Sequence, residues 1–348
     1  DFLGNTKGAL LLEPQRTNSL LQSNQFDTTW TLSASIDLTS GQSGVGGSNN
    51  AWLLKRNSTG SRYIQQSLSL SSAQYSYSVY LKAESTNWAY LWSYDGSASV
   101  NAYFDLENGV VGQTGGAALD STNIESVGNG WYRCTLIYTH APDLIRIYPA
   151  YSSGSISTGT DSGIYIQHAQ LEVGSYPTSI IPTSASAVTR VADVCNNGAN
   201  AQVINSTEGV LFVETKGFTD LLTQSGYIQL SKNGESSATN SLIIQHRSNG
   251  SLRVYVNGFA TPDIHFNINI DFTENHKIAV LYKLNGYKLF IDGIAQSLYS
   301  TPTQAVFSGL DNLSFDLRGA LSWNSSIKDV KIYNTALTDA ELAALTTI

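Results

Sequence analysis

Methionine is absent, cysteine occurs twice, and Asp, Glu, Lys and Arg together make up only 13% of the 348 residues. Each scarcity excludes something. Cys134 sits inside WYRCTLIY and Cys195 far along the chain, in different expected domains. Neither has the Cys-x-x-Cys or Cys/His spacing of a metal site, and two free thiols are expected, with a bridge between them as the alternative. Basic residues form no cluster and the net charge is -8, which argues against nucleic acid, because phosphate binding needs grouped Lys and Arg. No apolar run approaches the ~20 residues of a membrane span. The chain starts at Asp1 without any methionine, as expected of a processed product or a segment cut from a longer protein. No Gly-x-Ser-x-Gly elbow, P-loop or dinucleotide fingerprint is found. Glu-x-Asp-x-x-Glu, the spacing of a retaining glycosidase on a β-sandwich, is missing too.

What is abundant is uncharged and polar: Ser, Thr and Asn, with 29 Gly and 19 Tyr. This composition suits a β-rich, turn-rich protein, and the length suits two domains. Alternation predicts strands at 51–56, 62–70, 74–83, 87–94, 99–106, 131–139, 144–151 and 163–173. STG, DG, ENG and GNG turns separate them, a spacing typical of a sandwich. Further on, EGVLFVETKGF at 208–218 alternates, and NHKIAVLYKLNGYKLFIDG reads as a hairpin closed by Asn285-Gly286. Near the C-terminus a strand precedes a short helix, with Thr338 and Glu341 at capping-box spacing.

The stretch 163–194 divides the chain. In it Ile164, Ile166 and His168 are expected on one face of a strand, and Tyr165, Gln167, Ala169 and Leu171 on the other. Gly174, Pro177 and Pro182 should then stop regular pairing. The expected organisation is a lead-in at 1–17, a first sandwich at 18–182, a linker at 183–190 and a second sandwich at 191–348. The fold class is therefore all-β, two tandem β-sandwiches with one short C-terminal helix.

GALLLEPQRTNSLLQSNQF at 8–26 and YPTSIIPTSASAVTRVADV at 176–194 resemble two segments that recur, in this order, in tailed-phage structural and appendage proteins. YSYSVYLKA, AYFDLENG, GNGWYR and YIQHAQLEVG resemble the jelly roll of carbohydrate-binding modules. The hairpin, the KDVKIY strand and the closing helix resemble the laminin-G-like branch of concanavalin A-type folds. The resemblance implies a non-catalytic virion protein at the virion surface or otherwise extracellular. Its expected partners are host cell-surface polysaccharide and other virion proteins, and it implies a homo-oligomer, most often a trimer. A ligand-free structural spacer, or a glycan-degrading enzyme or its accessory module, are the alternatives.

Candidate glycan-binding residues start with NWAYLWSYD. Trp88, Tyr90, Trp92 and Tyr94 share one face of an extended strand, where flat rings can stack on sugars. The opposite reading has these rings filling the core, with Ala89, Leu91 and Ser93 outside. Tyr103, Arg146 and Tyr148 lie on the polar phase of other strands and are expected companions, or ordinary sheet surface. In the resembled modules a structural calcium often sits where first and last strands meet. Asn24 and Asp27, with Gln170 and Glu172, offer oxygen ligands there, and otherwise serve as turn caps or solvated groups. Trp323 is expected in the core. Tyr282, Tyr287 and Gln245-His246 only faintly resemble polysaccharide-lyase motifs, and the hairpin explains YKLNGYKLF better.

Overall fold

The computed structural model describes residues 8–217, 225–233, 240–257, 263–284, 286–298, 307–317 and 322–348. The chain is all-β with one short helix and forms two units, Arg16–Arg190 and Val191–Ile348, the latter joined by the N-terminal residues up to Gln15. Strand β1 (Leu10–Leu11) belongs to the second unit. The first contains β2 (Arg16–Asn18), β3 (Thr31–Leu32), β4 (Ile36–Gln42), β5 (Ala51–Arg56), β6 (Ile64–Ser67), β7 (Ala73–Ala83) and β8 (Trp88–Tyr94). It continues with β9 (Ser99–Asp105), β10 (Val110–Gly115), β11 (Leu119–Gly128), β12 (Trp131–His140), β13 (Leu144–Ala150), β14 (Gly163–Val173) and β15 (Val188–Arg190). Two antiparallel sheets, ordered β10-β9-β8-β13-β6-β3 and β11-β12-β7-β14-β5-β4, enclose one core.

Side-chain size explains how these sheets fit. The second sheet sends Tyr75, Tyr77 and Tyr138 into the core, and β8 answers with Ala89, Leu91 and Ser93, all fully buried. Large residues facing small ones fill the roughly 10 Å gap between sheets. The bulky rings of β8 are thereby turned to the outer face.

Strand β14 departs from simple alternation. Ile164 and Ile166 share the core face, but so do Ala169 and Leu171, which were expected on the face opposite to theirs. A bulge between Gln167 and Gln170 changes the phase, with His168 at φ 47°. One extra residue in a strand re-aims everything beyond it.

The segment expected as a linker is built into the first unit. Val188–Arg190 pairs with Arg16–Asn18, so parts of the segments 8–26 and 176–194 meet as a two-stranded ribbon. Thr183 exchanges hydrogen bonds with Ser23 and donates to the Leu20 carbonyl. Fully buried Asn18 donates to the Ala169 and Ile181 carbonyls and accepts from the Leu20 and Leu171 amides. The unit therefore extends to Arg190, because side chains replace the ladder bonds that the Gly and Pro residues forgo.

The second unit continues with β16 (Glu208–Gly217), β17 (Gly226–Ser231), β18 (Ser241–His246), β19 (Ser251–Asn257), β20 (Asp263–Asn269), β21 (Asn275–Lys283) and β22 (Gly286–Ile291). Then come β23 (Ile294–Ala295), β24 (Asn312–Ser314), β25 (Ser325–Tyr333) and α1 (Asp339–Thr346). Its sheets are ordered β1-β25-β16-β21-β22-β23 and β20-β19-β18-β17-β24. The expected lead-in is part of this sandwich: Leu10 and Leu11 pair with Ile327 and Ser326, and Leu12 enters the core. The β21–β22 hairpin forms, but Gly286, expected in the turn, opens β22 opposite Lys283, which moves the turn one residue earlier; Asn285 lies outside the described residues. Thr338 and Glu341 form the capping box, and Leu342 packs α1 on Val210, Phe212 and Leu281. Cys134 is buried and Cys195 partly so, both free. Burial raises both thiol pKa values, that of Cys195 with help from Asp316.

Candidate functional site

The outer face of the sheet centred on β8 gathers every sequence-expected glycan residue. Antiparallel registers lay them out in rows. Tyr94 lies between Ser99 and Leu144, Trp92 between Asn101 and Arg146, Tyr90 between Tyr103 and Tyr148, and Trp88 between Asp105 and Ala150. Next to Arg146 comes Gln65 of β6.

Two layers can be distinguished. Tyr90, Tyr103 and Tyr148 are 8%, 7% and 2% exposed and form a floor, with ring centroids 4.4 Å apart for Tyr90–Tyr103 and 5.1 Å for Tyr90–Tyr148. Burial, helped by the neighbouring phenols, raises the pKa of Tyr90, so this floor is uncharged at ordinary pH. Above it Trp88, Trp92, Tyr94 and Tyr63 are partly exposed. The Trp92 and Tyr94 rings are near-parallel, 5.3 Å apart at 12°. The Arg146 guanidinium carbon lies 4.1 Å from the Tyr63 ring centre and 4.4 Å from that of Trp92. Its Nε donates to Gln65 Oε1 at 2.9 Å and its Nη1 to the Tyr148 hydroxyl at 3.2 Å.

Tyr63 and Gln65 were not among the expected residues, although they alternate with Ile64 and Gln66 in RYIQQS, and neither was Asn101 in SVNAYFD. Gly112 of β10 has a further role. A Cβ there would fall 2.6 Å from the Trp88 ring, so only glycine lets the indole lie across β10. At the Tyr148 end, buried Arg56 pins two loops together by donating to the carbonyls of Ser58, Gly60 and Ile156, and Ile156 packs against the ring cluster.

Behind β8, Ser93 Oγ lies 2.9 Å from His140 Nε2, and His140 Nδ1 is 3.9 Å from Asp95 Oδ2. The residue types are those of a hydrolytic triad, but Ser93 is fully buried in the sandwich core, where no substrate reaches it. Burial lowers the His140 pKa, against the opposing effects of Asp95 and Asp143. This group is a core contact in which His140 Nε2 meets Ser93 and Nδ1 has no hydrogen-bond partner among the described residues.

The expected calcium ligands do not converge. Glu172 is fully buried, and its carboxylate accepts from Gln170 Nε2 and from the amide and hydroxyl of Thr178. It fastens the 174–183 segment. Asn24 accepts from the His168 amide and donates to the Asn50 carbonyl, while Asp27 Oδ1 accepts from Gln25. Asn24 and Asp27 do line one cleft of about 410 Å³ with Ser40, Asn49, Asn50 and Trp52, but Glu172 is not part of it. Among the described residues no three His, Cys, Asp or Glu side chains are grouped to hold a metal.

In the second unit Trp323 is fully buried and donates to Thr215 Oγ1 at 3.2 Å, a core position as expected. Tyr282, Tyr287 and His246 are core residues as well, so the faint lyase likeness has no accessible counterpart.

No curated protein sequence matches the chain. Among solved structures, the carbohydrate-binding module CBM40 of the Ruminococcus gnavus IT-sialidase, bound to alpha2,3 sialyllactose, is 14% identical, with 44% of this chain and 96% of that one covered and a TM-score of 0.34. The heptameric SAP-like pentraxin of Limulus polyphemus is 13% identical over 42% and 72%, with a TM-score of 0.34. Domains LG4-5 of the mouse laminin alpha1 chain are 9% identical over 92% and 94%, with a TM-score of 0.29. Residues 199–343, most of the second unit, match the family described as the concanavalin A-like lectin/glucanases superfamily.

Proposed function

We propose that the protein is a non-catalytic attachment component of a phage virion, exposed on the particle surface, that recognises host cell-surface glycan through the outer aromatic face of its first sandwich. The observation that carries this reading is the placement of Trp88, Trp92, Tyr94 and Tyr63, partly exposed on a floor of buried tyrosines and flanked by polar side chains. A flat aromatic surface with a few fixed polar groups is what binding the C–H faces of sugars requires. The virion assignment rests on the two phage-like segments at 8–26 and 176–194. A single face of this kind binds weakly, so useful affinity calls for several copies, and a homo-oligomer, most simply a trimer held with other virion proteins, supplies them.

One observation favours the spacer reading. Three of the seven expected glycan residues, Tyr90, Tyr103 and Tyr148, are buried and work as structural glue. The two readings separate in a binding assay on host cells and their extracted surface polysaccharide. Attachment predicts saturable binding that Trp92→Ala and Trp88→Ala weaken without loss of fold, and no release of reducing ends or unsaturated products. Absence of binding by well-folded wild type supports the spacer, and product release supports an enzyme.

A further inference from the structure

Arg146 puts a cation on the aromatic face, and its surroundings point to the kind of sugar the face takes. We infer that the face selects acidic glycans and receives a sugar carboxylate at Arg146; this inference rests on the glycan-binding reading above and narrows it.

A guanidinium has five N–H donors. In Arg146 one Nε and one Nη1 proton are engaged, by Gln65 and Tyr148, which leaves three without a protein acceptor among the described residues. No carboxylate pairs with it there either, although the chain has 27 acidic residues against 19 basic ones. The side chain is nonetheless fixed, since Tyr63 and Trp92 hold the guanidinium plane and two hydrogen bonds set its rotation. Pre-organisation of this kind lowers the ordering cost of binding. A planar guanidinium with free N–H groups matches a carboxylate, to which its hydrogen bonds are charge-assisted.

The neighbouring acids define where that carboxylate goes. Asp105, at the Trp88 end, accepts from the Glu107 and Asn108 amides and the Asn108 side chain. Asp143 follows the Tyr94 end, where its amide donates to the Tyr94 carbonyl. Acidic groups at both ends and a cation in the middle row confine an acidic sugar to the Trp92–Arg146 pair, with its ring against Trp92 or Tyr94. An uninterrupted run of acidic sugars would meet repulsion at both ends, so the favoured ligand alternates acidic and neutral units.

The test uses the whole chain and a panel of bacterial capsular oligosaccharides containing uronic acid, each paired with its carboxyl-reduced neutral form, together with a sulfated neutral oligosaccharide. Titration calorimetry is expected to show the acidic form binding about tenfold or more tightly than its reduced twin. Arg146→Gln should abolish the difference between the acidic and reduced forms, and Arg146→Lys should restore only part of it. The paired sugars test wild type directly, so the result stands even where a variant misfolds. Equal binding of acidic and reduced forms overturns the inference and leaves the glycan-binding reading intact. Equal binding of the sulfated sugar overturns the choice of carboxylate. No binding of any sugar by folded wild type overturns both.

Discussion

Trp92 and Arg146 meet because they are cross-strand partners, and their neighbours decide how much each adds to stability or binding. Trp92 is partly exposed and contributes little to the core, so Trp92→Ala should reduce glycan affinity about tenfold while the unfolding midpoint moves by only a few degrees. Isothermal titration and thermal melts of the same sample check both halves. Glu172 is the reverse case. Buried and accepting three hydrogen bonds, it holds the 174–183 segment, and Glu172→Ala strands the amide and hydroxyl donors of Thr178, while Gln170 keeps the Thr178 and Ser179 carbonyls. A loss of about 2–3 kcal/mol is expected in denaturant unfolding, unaffected by added calcium. Stabilisation of the wild type by calcium, absent in the variant, would return Glu172 to the ligand role expected from sequence. Gly112→Ala should displace the Trp88 indole from β10, read as a red-shifted, more quenchable tryptophan fluorescence with the fold retained.

Strands that span the core were legible in the sequence because burial writes a period of two into them. β8 shows this best: Ala89, Leu91 and Ser93 alternate with four rings, though the pattern alone left open which set faced inward. Only the facing Tyr75, Tyr77 and Tyr138, contributed by residues distant in sequence, decide that. β4, β10 and β11 went unread because they are edge strands, and LDSTNIESVG buries too little to leave a pattern. The bulge in β14 was hidden for a different reason, since His168 adopts its positive φ without the glycine that normally advertises one. The capping box was readable because its spacing is local. Tyr63 and Gln65 belonged to a recognised strand, but their partner Arg146 is some 80 residues away, and no local signal links them. Arg56 shows how a buried cation can organise an element. Its four hydrogen bonds join the 57–61 and 151–162 loops, and Arg56→Ala should open both to proteolysis and lower stability by about 3 kcal/mol. Unchanged digestion kinetics would show that the loops hold without it.

Among the described residues, burial depresses the pKa of half-buried His168 in the first unit, where Arg133 adds to the effect, and of buried His246 in the second, each to about 4. The folded state then binds fewer protons than the unfolded one between about pH 4 and the ordinary histidine value near 6.5. Stability is therefore fully present above that window and falls as pH drops through it. The melting temperature should decline by on the order of 5–10 °C from pH 7 to pH 4.5, and His246→Phe should flatten the decline of the second unit. A melting temperature constant over that range would mean that these rings find acceptors when protonated. For attachment to a surface, the decisive whole-molecule question is which unit meets the glycan. Hydrogen–deuterium exchange of the full chain, with and without saturating host polysaccharide fragments, answers it most directly. The account predicts protection concentrated in 88–94, 99–105 and 144–150, with the second unit unchanged. Saturable binding with protection confined to 191–348, or absent from β8, would contradict it.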